Sequence, residues 1–328
     1  MKAKIIFADS FNLTDDIRER FDALGNIVRL TLDQREALLR EVADADLVIA
    51  EYARIDSDFL NRGKKLKGVL VYGTGTNHVD LEAAAEKGIP VANTRGANAG
   101  AVAELTFSLM LNCLRGTADA HHYIREKKWT SGDSGKLPEK FTGTELRNKL
   151  LGIIGFGAIG RRVAEIGKGF GMEVCFHDPN YENGLSPQGT ARPCSLDSLL
   201  KEADIVSVHA PLTEATRDML NAEKLRLLKP SSVLIVTSRG GIVDEEALAD
   251  MLARKKIAAA GLDVFRNEPL ERTSRFMTLD NVMLTPHIGG SSHESVANIS
   301  RSLFEQAKAL LGNKTPINLV PCVTIRKT

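Results

Sequence analysis

The chain has 328 residues, and its 43 lysines and arginines nearly cancel its 42 aspartates and glutamates, leaving a formal charge of +1. So even a balance gives no electrostatic ground for nucleic acid or an anionic membrane as partner, and the length exceeds what one hydrophobic core usually organises. Two domains and a small-molecule partner are therefore expected. The four cysteines, Cys113, Cys175, Cys194 and Cys322, form no CxxC pair. That argues against a disulfide framework, a structural zinc site and a thioredoxin-like motif; no metal and a reducing, cytoplasmic setting are expected.

The N-terminal stretch MKAKIIFAD reads as a first strand, because its apolar run meets acidic residues too soon for a signal peptide. Up to about residue 100, β-branched runs (KIIFAD, IVRL, DLVIA, KGVLVYG, IPVAN) alternate with helical patterns (TDDIRERFDALG, DQREALLREVADA, DLEAAAEKG). This alternation is the signature of βαβ units and a parallel sheet. From Ala101, AVAELTFSLMLNCL has helical periodicity without a breaker, which predicts a long helix leading away from that unit. Residues 115–148 are polar, rich in Gly, Ser and Lys, and hold the single tryptophan, Trp129; they read as a linker or as an arm packing on another subunit.

A second alternating series follows, from KLLGIIGFG through MEVCFHD, DIVSVHAP, SVLIVTS and IAAAGLDVF to NVMLTPHI, and makes a complete doubly wound unit. Its longest apolar runs are too short to span a bilayer. One more helix, ESVANISRSLFEQAKALLG, and a short tail close the chain. The expected fold is α/β, with two doubly wound parallel-sheet domains of Rossmann-like or flavodoxin-like type. Residues 1–100 plus 291–328 would form an outer, substrate domain, and 101–290 a dinucleotide-binding domain carrying the polar arm at 115–148.

Within that second series, Gly155-Phe-Gly157-Ala158-Ile159-Gly160 follows an apolar strand and opens a helix. Alone the pattern is weak, but in this context the first glycine permits the turn and the second lets backbone approach a pyrophosphate. The third lets helix and strand pack closely. Asp178, 18 residues past Gly160 at the end of the next strand, suits the adenosine ribose hydroxyls and would repel a 2′-phosphate, so NAD is expected over NADP.

Three further segments fall where strands end, the place ligands gather in open α/β sheets. VTSRGGIVDEEAL, GLDVFRNEP and LTPHIGG supply Arg239, Glu268 and His287. A guanidinium can hold a substrate carboxylate in a fork of donors, a histidine can exchange a proton with a carbonyl oxygen, and a carboxylate can fix that histidine's tautomer. Each also has a plainer explanation as a loop residue serving its own fold, and spacing alone does not bring the three together.

From about Val71 to Ser292 the chain resembles the D-isomer-specific 2-hydroxyacid dehydrogenase family, especially its phosphoglycerate dehydrogenase-like branch. The resemblance lies in six ordered motifs: GTGTNHVDLEAAAEKGIPVANTRGANAGAVAELTFSLML, LGIIGFGAIGRRVA, HAPLTEATRDMLN, SRGGIVDEEAL, GLDVFRNEP and TPHIGGSS. It implies that Arg239 binds the substrate carboxylate, that Glu268 supports the histidine and that His287 is the acid/base. Backbone N–H groups around Thr74 and Gly75 would hold the carboxylate from the other domain. Thr106, Thr237 and Asp263 would lie near the nicotinamide and Ala210 and Pro211 near the adenosine half, with Ser238 and Gly290 completing the cofactor set. It further implies a cleft between the domains and a homodimer joined through the NAD domain.

One departure bears on substrate. The branch commonly places a basic residue after the strand matching DLVIA, whereas Glu51 and Tyr52 stand here, with Arg54 just beyond. A phosphorylated acid loses ground unless Arg54 or Arg95 turns inward; Tyr52, Arg54 and Arg95 are kept as further substrate-binding candidates. Phosphoglycerate, hydroxypyruvate and glyoxylate are the acids considered. The competing class is an NAD-sensing corepressor of the same fold, while Glu268 counts against a formate dehydrogenase, whose resemblance calls for glutamine.

Overall fold

The computed structural model describes residues 2–130, 138–181 and 191–321. Part of the expected arm (131–137), residues 182–190 and the end of the tail with Cys322 lie outside the described residues. The chain forms two compact units, one running to Asn98 and resuming at Ser291, the other spanning Ala99–Gly290. Each is an α/β unit around a parallel sheet.

The first unit holds β1 (Ala3–Phe7), β2 (Gly25–Arg29), β3 (Leu47–Ala50), β4 (Gly68–Val71) and β5 (Val91–Asn93), in the order β2-β1-β3-β4-β5. Every ladder is parallel. β3 and β4 are buried along their whole length, which is why LVIA and GVLV show no polar alternation. Side chains alternate between two cores: Ile6, Val48 and Val69 face one, with Leu38 and Phe59, while Ile5, Leu47 and Leu70 face the other, with Phe21. The helix His293–Leu311 returns from the far end of the sequence to fill that second core with Ile299, Leu303, Phe304 and Leu310. The tail then pairs with β5, Val320 N–H donating to the Val91 carbonyl at 2.8 Å.

The second unit holds β6 (Leu150–Ile154), β7 (Glu173–His177), β8 (Arg192–Pro193), β9 (Ile205–Val208), β10 (Val233–Val236), β11 (Ala259–Leu262) and β12 (Val282–Leu284). Their order, β12-β11-β10-β9-β6-β7-β8, reverses direction between β6 and β9, again with parallel ladders throughout. That reversal opens the crevice at the carboxyl ends where doubly wound sheets take ligands.

Two expectations change. The long helix begins at Ala99 and runs to Arg115, two residues earlier than the apolar period suggests. Within the stretch read as linker or arm, Thr117–Arg125 forms a helix after Gly116, whose φ of 57° breaks the preceding one. Its start is held by Asn112, whose side-chain oxygen accepts from Thr117 Oγ1 at 2.7 Å and from Ala118 N–H at 2.8 Å. No residue of this helix is buried, so the composition showed only polarity and hid the periodicity. No helix among the described residues is long and apolar enough to cross a membrane.

A buried acid fixes one loop of the first unit. Asp9, 4% exposed, follows β1, and its carboxylate accepts the backbone N–H groups of Glu51 (3.0 Å), Tyr52 (3.0 Å) and Ala53 (2.6 Å) just beyond β3. Asp9→Asn keeps the volume but turns one acceptor into a donor facing N–H groups. It should lower stability by about 2 kcal/mol, read as an earlier urea midpoint; an unmoved midpoint would show that the turn is held by something else.

Candidate active site

The strand β6 ends in the glycine turn. Gly155 has φ of 88°, and a Cβ there would stand 2.6 Å from the Ala210 backbone nitrogen; a Cβ on Gly160 would stand 2.2 Å from the Gly155 carbonyl oxygen. Glycine is required at both by close backbone approach. Gly157 differs: a Cβ there would meet nothing within 4 Å, so this residue borders open space. It is also the N-cap of the helix Ala158–Gly169, whose first N–H groups lack intrahelical partners. An open glycine at a helix N-terminus beside a topological switch point fits the pyrophosphate of a dinucleotide. Ala158 and Ile159 form the helix's first turn, while Ala210 and Pro211 follow β9, with Ala210 against Gly155.

Asp178 lies just past β7. Its Oδ2 accepts the Phe156 N–H of the glycine turn at 2.8 Å, and its Oδ1 accepts from the Asn180 backbone at 2.9 Å. The acid is thereby fixed at the strand end, tied to the phosphate turn. On the other side of the switch point, Thr106 and Thr237 are buried with their hydroxyls 3.0 Å apart. Thr106 donates to the Val102 carbonyl, so Thr237 is left as the donor between them. Ser238 Oγ is buried and has no hydrogen-bond partner among the described residues.

Three loops at the carboxyl ends of β10, β11 and β12 bring the catalytic candidates together. His287 Nδ1 lies 2.7 Å from Glu268 Oε2. Glu268 Oε1 also accepts the Phe265 N–H at 2.9 Å. Burial pushes the Glu268 carboxyl up, but the hydrogen bonds from His287 and Phe265 and the charges of His287 and Arg239 outweigh it, holding it below the usual carboxylate range. With Glu268 ionised, Nδ1 must carry a hydrogen, and Nε2 is the nitrogen free to exchange a proton with a ligand. Arg239 donates to the Ser238 carbonyl at 2.6 Å, and its charge reaches Glu268. The two loops approach closely because of Gly240, where a Cβ would stand 1.9 Å from the Phe265 carbonyl carbon.

Asp263 holds the loop that carries His287. Fully buried, it accepts from Thr285 Oγ1 (2.7 Å), Ile288 N–H (2.9 Å) and Gly289 N–H (2.8 Å), and its own carbonyl accepts the His287 N–H at 2.8 Å. It is a positioning residue for the histidine loop. A Cβ on Gly289 would lie 3.0 Å from this carboxylate, and His287 itself has φ of 52°. A left-handed backbone at a non-glycine residue is held by its surroundings, and Asp263 supplies them. Gly290 ends this loop at the boundary of the unit.

Sequence reading also missed His209, directly after β9. Its Nε2 lies 2.7 Å from Ser207 Oγ, while Nδ1 is shielded and has no partner. Part of the residue reaches the surface, but Nδ1 does not, and desolvation pushes the imidazole down to about 3. The HAP sequence marks a strand end; nothing in it signals a neutral histidine.

The remaining candidates belong to the first unit. Tyr52 is 58% exposed in the loop held by Asp9. Arg54 pairs with Asp56 at 3.4 Å, and exposed Arg95 makes no ion pair among the described residues. Thr74 and Gly75 follow β4, with the Thr74 carbonyl accepting from Asn93 Nδ2 at 2.9 Å.

Comparison with known proteins adds the family. Residues 107–289 match the model of the D-isomer specific 2-hydroxyacid dehydrogenase, NAD binding domain. A glyoxylate reductase from Aeropyrum pernix is 38% identical, over 87% of this chain and 85% of its own. A hydroxypyruvate reductase from Thermotoga maritima is 39% identical, over 85% of this chain and 89% of its own. The solved structure of an NADPH-dependent glyoxylate/hydroxypyruvate reductase from Sinorhizobium meliloti, in complex with NADP and malonate, superposes with a TM-score of 0.87. Its identity is 27%, with 100% of this chain and 99% of that one covered.

His209 generates a pH prediction. The ordinary imidazole value is about 6.5, and the folded value is depressed to about 3. Between these limits the unfolded chain binds a proton that the folded chain does not, so stability present above pH ~6.5 is progressively lost as pH falls toward 3. Denaturation at pH 7 and pH 5 should show a larger acid loss for the native protein than for His209→Gln. Equal losses would mean that the ring is protonated in the fold.

Proposed function

Since the chain belongs to the D-isomer-specific 2-hydroxyacid dehydrogenase family and is an oxidoreductase acting on a CH–OH group, we propose that it reduces glyoxylate or hydroxypyruvate with NADH, His287 serving as the proton donor. The observation that carries this reading is the 2.7 Å contact between His287 Nδ1 and Glu268.

The cofactor, when bound, supplies a hydride to C2 of the 2-oxo acid. Gly157 and the start of the helix Ala158–Gly169 would hold its pyrophosphate, Asp178 its adenosine ribose, and Thr106, Thr237 and Ser238 would lie toward the nicotinamide. Arg239 clamps the substrate carboxylate through paired guanidinium N–H groups, which fixes the direction of the neighbouring carbonyl. His287 Nε2 delivers its proton to the C2 oxygen, so no free alkoxide accumulates. Through this step Glu268 keeps the Nδ1 hydrogen in place and offsets the imidazolium charge that exists before transfer. The reverse reaction uses the same groups, with Nε2 accepting the hydroxyl proton.

A short unphosphorylated acid is favoured because Glu51 and Tyr52 follow β3 and the adjacent Arg54 is already paired with Asp56. NADH is favoured over NADPH because the Asp178 carboxylate would repel a 2′-phosphate. The reading extends to a cytoplasmic homodimer joined through the second unit, whose exposed Ile124 and Trp129 lie on and just beyond the helix Thr117–Arg125.

Loss of NADH absorbance with glyoxylate, hydroxypyruvate and phosphohydroxypyruvate tests the proposal. The first two should turn over faster than the third, and faster with NADH than with NADPH. His287→Asn should reduce kcat by about 100-fold or more while leaving NADH affinity intact. Unimpaired turnover in that variant would remove His287 from the mechanism.

A further inference from the structure

The second unit carries an open cavity of about 520 Å³ that the proposed reaction does not use. It lies where β10 and β11 begin: Leu228 comes from the stretch leading into β10, and Lys256 from the stretch leading into β11. Arg239 and Asp263 follow the same two strands, so the cavity and the histidine loop stand at opposite strand ends. One wall is the helix Glu245–Ala253 with its C-cap. Ala247, Asp250, Met251 and Arg254 line the cavity at i, i+3, i+4 and i+7, a single stripe of that helix. Arg226, just past the short helix Ala222–Leu225, lines it from a second segment.

Floor and rim differ in chemistry. Leu228 is a buried member of the unit's core, and Ala247 and Met251 pack half-buried against that core. Arg226, Arg254 and Lys256 are exposed, and none makes an ion pair or a side-chain hydrogen bond among the described residues. The cations beside them are engaged: Lys224 pairs with Asp197, Lys229 with Asp204 and Lys255 with Asp280. The acid in the lining, Asp250, accepts from Arg275 Nη2 at 2.7 Å, so Arg254, whose charge also reaches it, keeps its own donors unengaged. Three positive groups therefore surround an apolar floor, in a volume typical of small-molecule sites, about 300–1,000 Å³.

We propose that this cavity binds a small organic phosphate, an aryl or alkyl group bearing a phosphate monoester. The apolar group covers Leu228 and Met251 and removes their remaining surface from water, while the phosphate at the rim takes guanidinium N–H groups in pairs. A phosphate monoester carries close to two negative charges at neutral pH, which matches three cations better than a single carboxylate does. Neither half suffices alone. A bare ion meets exposed cations screened by salt, and an uncharged ring leaves those cations unused. The site is independent of the roles given to His287 and the glycine turn.

Isothermal titration calorimetry of the full chain with phenyl phosphate tests this, beside inorganic phosphate and phenol. Saturable binding of phenyl phosphate is expected, weakened by added NaCl, with inorganic phosphate and phenol each binding about tenfold or more weakly. Arg226→Ala and Arg254→Ala should each raise Kd by about tenfold. Lys255→Ala should leave Kd unchanged, because that lysine is paired with Asp280 and does not line the cavity. Absence of saturable heat overturns the proposal. So does an unmoved Kd in both arginine variants, which would seat the ligand elsewhere, or an equal loss in Lys255→Ala, which would make it an effect of surface charge. Dissociation of an oligomer by the arginine substitutions, without heat from phenyl phosphate, would give the face to a second copy of the chain and likewise overturn it.

Discussion

The carboxylate of Asp263 sits at the carboxyl end of β11 with no solvent exposure, and three donors from the next loop converge on it. A buried carboxylate must be satisfied by hydrogen bonds, and a donor left unpaired costs about 1–3 kcal/mol. The loop therefore has one low-energy path. Along it His287 adopts a left-handed backbone and Gly289 passes where a Cβ would press on the acid. The side chain of His287 is thereby aimed at Glu268, which a second loop delivers through the close passage of Gly240 under Phe265. The proton chemistry proposed for Nε2 thus depends on a carboxylate engaged by the loop itself.

The same division of labour runs through both sheets. Strands such as β3, β4 and β10 are wholly buried and apolar, so they are fixed by packing. Polar groups appear where each strand stops: Asp9 after β1, Asp178 after β7, His209 after β9, Arg239 after β10 and Asp263 after β11. Some of these acids are buried in loops and others stay partly open. Asp9 and Asp263 are buried and consumed by backbone N–H groups, whereas Asp178 remains partly exposed while tied to the turn it faces.

How far the sequence could be read follows from the range of the interactions. Alternating apolar runs and the glycine turn are local patterns, so the two parallel-sheet units and the helix at Ala158 were legible without coordinates. Arg239, Glu268 and His287 come from separate loops, and only the ordered motifs suggested that they act as a group. Contact between Glu268 and His287 is a tertiary fact, set by Gly240 and Asp263. The sequence shows Asp263 as an acid after an apolar strand, with nothing to separate a ligand contact from a loop anchor. The helix Thr117–Arg125 lies in the stretch that reads as a linker or an arm, because its polar composition masks a periodicity that no fully buried residue marks.

The central claim is that Glu268 acts by holding the Nδ1 hydrogen of His287 as an ionised carboxylate. The most direct measurement is single-turnover reduction of glyoxylate by Glu268→Gln beside the native protein, with NADH binding followed separately. The account predicts a chemical step slowed by about 100-fold with NADH affinity retained, because a carboxamide neither fixes the tautomer nor offsets an imidazolium. An undiminished rate of that step would contradict it, and would make the 2.7 Å contact a feature of the loop alone.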